Sequence, residues 1–494
     1  MTVAEATAEI APAPRSVQSY LDENPNWADG TPAVQATMTG MQQRIWLLAS
    51  TGKFFEGMIV FMSGIALPLI AREFGITKAE HGFVTAASLL GILVGASLLG
   101  GLADRYGRKS MFVLEMILLT VFIVLTCLSP NFYLLIACLF GIGLALGCDY
   151  PTAHLVISET TSSRSRGKLV LGAFAFQAVG ALFGTGIGYI ILANAADVGA
   201  WRWMYATAVI PAILVTLARL TIPESPHFLI SRQRHEAAEK ATMRLLERTP
   251  QYPDDVDLTP LDEAAAKRPS HYGILFSRKN RRATILASVP WFLQDLSTYG
   301  IGIFTPVILA ATVGAKQEHA TSITTVIHSD IIAAKGAAMI DVLLVVGILA
   351  ATFLADRVGR MKLQIIGFIG CAAGLAIAAT SSLAVGATQT ALIFAGFMLF
   401  NFMTNMGPNA QTYLVAGEVF PTEIRAKGAG FAASFAKVGA VLTAFLFPIL
   451  LIDIGTEILL ACLVGTSLLG ALVTHLCRIE TTGRSLEHIG HDHH

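Results

Sequence analysis

Apolar and polar stretches alternate along this chain in a pattern typical of a protein that crosses a membrane many times. Each of twelve apolar segments is as long as the helix of about 20 residues that spans a bilayer. Six segments precede a polar insert at 222–280 and six follow it. We predict spanning helices with cores at 46–71, 80–103, 110–129, 132–158, 169–193, 201–221, 283–312, 335–355, 362–383, 388–416, 429–452 and 456–477.

The polar segments divide the chain into domains. Residues 1–43 lack the basic start and short apolar core of a signal peptide, so we expect a disordered cytoplasmic tail there. The predicted order continues with an N-terminal six-helix bundle at 44–221, a central loop at 222–280, a C-terminal six-helix bundle at 281–478 and a tail at 479–494. The histidines of the last tail have no cysteine or carboxylate cluster to complete a metal site, so we predict no metal.

Basic residues in the short connections predict the orientation. They concentrate in the even-to-odd connections, at Arg105, Arg108, Lys109, Arg164, Arg166, Lys168, Arg357, Arg360, Lys362, Arg425 and Lys427. The odd-to-even connections hold only Arg72, Lys78, Arg202, Lys316 and Lys335. Because short cytoplasmic loops carry the excess of Lys and Arg, we predict that both termini and the central loop are cytoplasmic in a multi-pass cell-membrane protein.

Composition agrees with a membrane protein. Hydrophobic residues make up 54% of the chain and charged residues 14%, against about 25% charged in a soluble protein. The net charge of zero indicates no nucleic-acid partner, and the lipid bilayer is the expected environment. No nucleophile–base or metal-ligand constellation suggests an enzyme, and no cofactor is predicted.

The two halves repeat each other. GGLADRYGRK at 100–109 recurs as TFLADRVGRM at 352–361, and residues 158–181 align without gaps with 417–440. Parallel repeats of six helices place a substrate site at mid-membrane between the halves. The predicted fold is therefore an all-α membrane protein with twelve transmembrane helices in two pseudo-symmetric six-helix bundles.

These motifs resemble those of a known transporter superfamily. GGLADRYGRK is similar to the loop signature between helices 2 and 3 of the major facilitator superfamily, and its copy lies between helices 8 and 9. PESPHFLI (223–230), GEVFPTEIRAK (417–427) and IETTGRSLEHI (479–489) resemble signatures of its sugar-porter-like branch. The resemblance covers about residues 46–489 and implies transport by alternating access, with a monomer as the default.

Within that branch, three stretches are most similar to the phosphate:proton symporters: GCDYP (147–151), WFLQDLSTYG (291–300) and GPNAQTYLVAGEVFPT (407–422). The resemblance implies a substrate site formed by Tyr150, Gln177, Trp291, Asp295, Tyr299 and Asn409. It also implies roles in proton coupling or charge balance for Asp149 and Lys437. The first helix departs from the family, because FEGMI replaces an aspartate-rich TDxYD-like run. Glu56 can replace one carboxylate there, but Ile59 cannot replace the other.

The residues support a site at these places by their own chemistry. An aspartate at a helix centre costs roughly 2.5 to 3.5 kcal/mol on insertion, so Asp149 is expected to face a polar cavity and exchange a proton. The alternative is that Asp149 is a static partner of a basic group. Trp291, Asp295 and Tyr299 share one helical face, which predicts a cavity wall or, alternatively, an interfacial aromatic belt. The buried Lys437 should pair with Asp149 or Asp295.

Lys53 and Glu56, spaced i and i+3, could pair with one another in the first helix. The charged loop motifs suggest a gate. Ion pairs between the halves are expected to close the cytoplasmic side, and the alternative is solvated charge that only marks topology. The residues concerned are Asp104, Arg108, Glu159, Arg166, Asp356, Arg360, Glu418 and Arg425.

The sequence thus predicts a proton-coupled symporter for a small polar anion, with inorganic phosphate as leading substrate. Dihydrogen phosphate can donate a hydroxyl to Asp295 while the other site residues donate to its oxygens, whereas a fully ionised sulfate would be repelled. Two alternatives stay open. One is a proton-coupled transporter of an organic acid or sugar, and the other is a non-transporting receptor or sensor on the same scaffold.

Overall fold

A computed structural model describes residues 15–23, 38–99, 102–163, 165–195, 197–248, 253, 255–258, 272–313, 323–421 and 424–481. Within these ranges, twelve helices are long and apolar enough to cross a membrane, which confirms the predicted number. The only β-structure found there is a single bridge between Arg15 and Leu258. The all-α prediction is therefore confirmed.

The spanning helices are numbered α1 to α12 in chain order. Three of them are interrupted: α2 ends in a wider π turn, α6 has a break after its second turn, and α10 bends at Gly407. Their bounds are Gly40–Phe74, Lys78–Val94 with Gly95–Leu99, Arg108–Cys127, Phe132–Thr160, Arg166–Asn194, Ala200–Ala206 with Val209–Leu220, Arg281–Val313, Ile323–Val358, Arg360–Ala379, Ala387–Met406 with Pro408–Glu418, Arg425–Asp453 and Gly455–Cys477.

Local sequence sets several helix ends. Thr39 accepts a hydrogen bond from the backbone N–H of Gln42, whose side chain accepts one from Thr39 in return, and this capping box starts α1. Thr77 and Glu80 form the same box at the start of α2. Gly75 ends α1 at a φ of 61°, a left-handed conformation that glycine adopts without a Cβ clash.

Small residues let the helices approach closely, both within and between the halves. A Cβ on Gly180 of α5 would lie 2.0 Å from the carbonyl oxygen of Phe54 in α1. A Cβ on Gly64 of α1 would lie 1.9 Å from the carbonyl oxygen of Ile303 in α7, across the two halves. Gly64 therefore fixes how closely α1 and α7 meet.

The segments outside the membrane contain more structure than the sequence predicts. Val17–Asp22 is a short helix, and its Tyr20 hydroxyl donates to the carbonyl oxygen of Asp257 at 3.3 Å. The disordered tail expected over 1–43 is therefore wrong for residues 15–23, because buried Val17, Tyr20 and Leu21 dock on the insert. The insert itself holds helices at Pro226–Ser231, His235–Leu246 and Tyr272–Phe276.

Both ends of the helical array lie on one side. The Thr39 hydroxyl donates to Leu245 of the insert at 2.6 Å, and Arg282 donates to the carbonyl oxygen of Arg478 at 3.0 Å. The starts of α1 and α7, the insert and the end of α12 thus share a face, which we call the terminus side.

Candidate substrate and proton site

A buried group of charged and phenolic side chains lies where the two halves meet. Glu56 of α1 is 1% exposed, and its Oε1 accepts hydrogen bonds from the hydroxyls of Tyr150 at 3.1 Å and Tyr299 at 2.8 Å. Its Oε2 lies 2.9 Å from the Nζ of Lys53, one turn earlier in the same helix. The pair expected between Lys53 and Glu56 is therefore confirmed, and this carboxylate is fully engaged.

Lys437 of α11 completes the group from the C-terminal half. Its Nζ lies 3.3 Å from Asp295 Oδ2, 2.5 Å from the Tyr299 hydroxyl and 3.5 Å from Glu56 Oε1. We call Lys53, Glu56, Tyr150, Asp295, Tyr299 and Lys437 the central cluster. Its two ammonium groups and two carboxylates balance formally, as buried charges must to offset their desolvation. Because Glu56 and Lys437 belong to different halves, the central cluster ties the halves together electrostatically.

Amide side chains continue the central cluster into a narrow cavity. Gln177 of α5 donates to the Tyr299 hydroxyl at 3.3 Å, and Asn409 of α10 accepts from Gln294 at 3.0 Å. The cavity is lined by Phe61, Gln177, Thr298, Tyr299, Asn405 and Asn409. The structure thus brings five of the six predicted substrate residues to the cluster or this cavity: Tyr150, Gln177, Asp295, Tyr299 and Asn409.

Trp291 lies apart from that group. Its ring stands edge-on to Tyr413 with centroids 5.9 Å apart, and Tyr413 stacks on Phe174 at 4.6 Å. At 3% exposure Trp291 is buried inside the protein, so the alternative of an interfacial aromatic belt is wrong. These three rings form an apolar contact between α5 of one half and α7 and α10 of the other.

A second buried ionic group holds Asp149. Arg219 of α6 donates to Asp149 Oδ1 at 2.9 Å and to Glu115 Oε1 of α3 at 2.6 Å. It also donates to the carbonyl oxygens of Phe112 and Leu48. We call Glu115, Asp149 and Arg219 the triad.

The triad decides which carboxylate pairs with Lys437, and it adds Glu115 and Arg219 to the residues expected from the sequence. Of the two partners expected for Lys437, Asp295 is confirmed and Asp149 is wrong, because Arg219 occupies the Asp149 carboxylate. The sequence reasoning missed Arg219 because it stands at the end of an apolar segment, where basic residues often flank a membrane. Glu115, an acid at the sixth position of the third apolar segment (110–129), is the sequence signal that indicates this group.

The triad and the central cluster touch through α1. A Cβ on Gly52 would lie 1.7 Å from Asp149 Oδ2, and the adjacent Lys53 places its Nζ 2.6 Å from the centroid of the Tyr150 ring. Consecutive residues of α4 therefore serve different groups, with Asp149 in the triad and Tyr150 in the central cluster. A charge change in one group is felt by the other at close range.

The loop motifs build matching ion pairs on the terminus side. Arg108 binds Glu159 at 3.1 Å, and Arg360 forms an ion pair with Glu418 at the equivalent place in the second half. Ser225 donates to Glu159 and Thr481 donates to Glu418.

These contacts correct the predicted gate. Pairs between the halves were expected, but Arg108–Glu159 and Arg360–Glu418 each lie within one half. The geometric reason is that, in each half, the start of the third helix lies beside the end of the fourth helix. Arg166 donates to Gln18 of the short N-terminal helix at 3.0 Å. The side chains of Asp104, Asp356 and Arg425 lie outside the described residues.

Comparison with known proteins identifies the family. A family model described as "Sugar (and other) transporter" matches residues 45–492, so this chain belongs to that family. The chain is 29% identical over 441 residues to the inner membrane metabolite transport protein YgcS of Escherichia coli, covering 89% of this chain and 91% of YgcS. It is 28% identical over 475 residues to a protein of Oryza sativa subsp. japonica named "Putative inorganic phosphate transporter 1-13", covering 89% of each.

A solved structure shows the same fold. The xylose transporter XylE from Escherichia coli, in a partially occluded inward-open conformation, superposes with a TM-score of 0.72. The match covers 90% of this chain and all of that chain, at 20% sequence identity. The two-bundle arrangement predicted from the repeat is that of XylE, a membrane transporter of the major facilitator superfamily. The expected superfamily and sugar-porter-like branch are confirmed.

Proposed function

We propose that this member of the sugar (and other) transporter family is a proton-coupled symporter of a small anion, most simply inorganic phosphate. The observation that supports this most is the central cluster, in which Lys437 of one half binds Glu56 of the other. A bond of this kind must break whenever the halves move apart on one side. Protons and an anion are the ligands able to break it, since they neutralise a carboxylate or compete for an ammonium group.

The chemistry of the site favours a protonated oxyanion. Lys437, Tyr150 and Gln177 carry donors for oxyanion oxygens, while Asp295 is an acceptor beside them. Dihydrogen phosphate matches both because it carries hydroxyls as well as a negative charge. The likeness to a protein named for inorganic phosphate supports the same substrate, although the xylose transporter of similar fold shows that the frame also serves neutral sugars.

Two carboxylate groups are positioned for proton coupling. Protonation of Glu56 would release Lys437 for the anion, and Asp149 would exchange its proton against the charge of Arg219. Glu56 thereby acts in place of one of the aspartates that the resemblance to the phosphate symporters implies for helix α1. Lys53 would then lose its partner and turn to Asp149, which couples the two groups.

We also propose that the terminus side faces the cytoplasm. The excess of Lys and Arg in the loops of that side supports this orientation. The Arg360–Glu418 pair would act as a gate element there, because Glu418 Oε1 lies only 3.9 Å from a Cβ placed on Gly167 of the other half. Opening on the terminus side would separate Glu418 from α5.

Counterflow in proteoliposomes tests the substrate. Vesicles loaded with unlabelled phosphate should accumulate labelled external phosphate transiently, because exchange needs no net proton movement. Empty vesicles and vesicles loaded with sulfate are the controls. Equal entry of labelled phosphate into phosphate-loaded and sulfate-loaded vesicles would contradict phosphate as the substrate.

A second candidate is an organic acid, which the Trp291, Tyr413 and Phe174 rings favour because they could hold an apolar body beside the lysines. Competition separates the two. If phosphate is the substrate, an excess of benzoate or of a cyclic acid of the size of shikimate should leave phosphate counterflow unchanged. Trp291→Leu should then change phosphate uptake little, whereas an organic-acid carrier would lose most of its transport.

A further inference from the structure

A third buried carboxylate, Asp341 of α8, belongs neither to the central cluster nor to the triad. Asp341 is 2% exposed, and Asn401 of α10 donates to its Oδ1 at 3.1 Å. Its Oδ2 is buried and has no hydrogen-bond partner among the described residues. Thr185 of α5, in the other half, faces the same carboxylate.

Among the described side chains, no cation compensates the charge of Asp341. No described charged group of the helices packed on α8, which are α1, α5, α7, α9 and α10, acts on this carboxylate, and its polar neighbours are Thr185 and Asn401. On α8 itself, His328 and Lys335 are exposed and Asp330 is a second buried carboxylate. An isolated ionised carboxylate in such a place is too costly, so the group is neutral or holds a cation.

The donor set points to a proton rather than a metal cation. The Nδ2 of Asn401 donates both to Asp341 and to the carbonyl oxygen of Ile340 at 3.4 Å, so it presents hydrogens where a sodium ion would need oxygens. Thr185 directs its hydroxyl hydrogen to backbone carbonyls of α5. The Thr185 oxygen is thereby left as an acceptor for the hydrogen of a protonated Asp341 carboxyl group.

The position of Asp341 relates it to the substrate cavity. Leu344, Asn405 and Ala181 line the cavity on α8, α10 and α5. About one helical turn farther from the terminus side, the same three helices carry Asp341, Asn401 and Thr185, respectively. The carboxyl group therefore stands between the cavity and the opposite face of the membrane, at a contact between the halves.

A second unpartnered carboxylate lies farther along the same helix face. Asp330 is 11 residues before Asp341, about three turns or roughly 16 Å toward the start of α8. It is 7% exposed, and its Oδ2 has no hydrogen-bond partner within the described part of the chain. Two such groups in line on one helix are suited to receive protons from the side opposite the termini.

We propose that Asp341 is a proton-binding residue of the C-terminal half, which takes up a proton from the side opposite the termini before the substrate cavity opens toward the terminus side. This inference rests on the proposed proton coupling and names a carrier for it. The step is a simple protonation: the carboxylate binds a proton on one side and releases it on the other. Neutral Asp341 can remain in contact with α5, whereas the ionised form would need water and would loosen that contact.

Infrared difference spectroscopy of the purified protein tests protonation without any transported substrate. Difference spectra between low and high pH should contain carbonyl stretches of protonated carboxyl groups that shift in D₂O, and Asp341→Asn should remove one of these bands. Asp453→Asn, at an exposed helix end, is the matched control and should leave that band in place. Asn401→Leu should shift the band, because it removes the hydrogen bond, which keeps the assignment testable if Asp341→Asn folds poorly.

Transport supplies the second readout. In proteoliposomes Asp341→Asn should lower proton-driven phosphate accumulation at least about tenfold while phosphate counterflow persists, and Asp453→Asn should match the wild type. An unchanged carboxyl band in Asp341→Asn, or a band that responds to sodium at constant pH, would overturn the proposal. If wild-type protein shows no phosphate counterflow, the proposed substrate fails, and the infrared result alone decides on Asp341.

Discussion

Single residues carry opposite charges across the boundary between the halves, and the proposed substrate and proton site lies among them. Glu56 accepts hydrogen bonds from both tyrosines and binds Lys53, while Lys437 binds Asp295 and approaches Glu56. The sequence indicated most of these residues because polar side chains in apolar segments are conspicuous. It could not indicate their partners, since pairing between distant helices depends on packing that no local pattern encodes.

Charge removal in the central cluster should act in opposite directions on anion binding. Lys437→Gln deletes a buried cation beside Asp295, so phosphate affinity should fall at least about tenfold, which corresponds to about 1.4 kcal/mol. Glu56→Gln deletes a competing carboxylate, so affinity should be kept or rise while proton-driven accumulation is lost. Equilibrium binding of labelled phosphate measures both, with exposed Lys240→Gln as the control. Parallel losses in the two variants would contradict the assigned charges.

The triad should be a stability element as well as a proton site. Arg219→Met leaves Glu115 and Asp149 buried without their cation, and breaking a buried ion pair in this way costs about 3–5 kcal/mol. Arg234→Met, at an exposed position, is the control. Thermal unfolding of both variants in detergent should show a lowered midpoint for Arg219→Met alone. Equal midpoints would show that Arg219 does not hold these helices together.

At the scale of helices, the sequence predicted the number and centres of the spanning elements because a length of apolar residues is sufficient for that. It was less successful at the ends. Helix α8 begins at Ile323 rather than at 335, since Asp330 and Lys335 interrupt the apolar pattern although they lie within the helix. The helix at Val17–Asp22 was missed because its stability comes from docking on residues 255–258.

Close helix contacts give a prediction of their own. Gly180→Val should prevent α5 from approaching α1, because even a Cβ there would lie 2.0 Å from the Phe54 carbonyl oxygen. Gly186→Val on the same helix is the matched control, since no atom lies within 4 Å of its Cβ position. Size-exclusion profiles of the two variants in detergent should show folded protein only for Gly186→Val. A folded Gly180→Val would mean that the α1–α5 contact tolerates a wider spacing.

At the scale of the whole molecule, two repeated bundles supply a frame and their differences supply the chemistry. The pairs Arg108–Glu159 and Arg360–Glu418 occupy matching places, so the repeat could be read from sequence. The central cluster has no such symmetry: Glu56 and Lys53 come from the first bundle, and Asp295 and Lys437 from the second. These residues meet across the boundary only in the assembled fold. For this reason the sequence predicted a site there but not which residues pair with one another.

Coupling of proton movement to anion movement is the central claim, and one flux measurement tests it directly. Proteoliposomes without any imposed gradient, containing a trapped pH indicator, receive external phosphate at constant pH in the presence of a potassium ionophore that holds the voltage at zero. In wild-type vesicles, phosphate entry should acidify the lumen by more than the ionisation of the entering phosphate accounts for. Labelled phosphate should enter with the same time course as this excess acidification. Phosphate entry without excess acidification above that of protein-free vesicles would contradict the account.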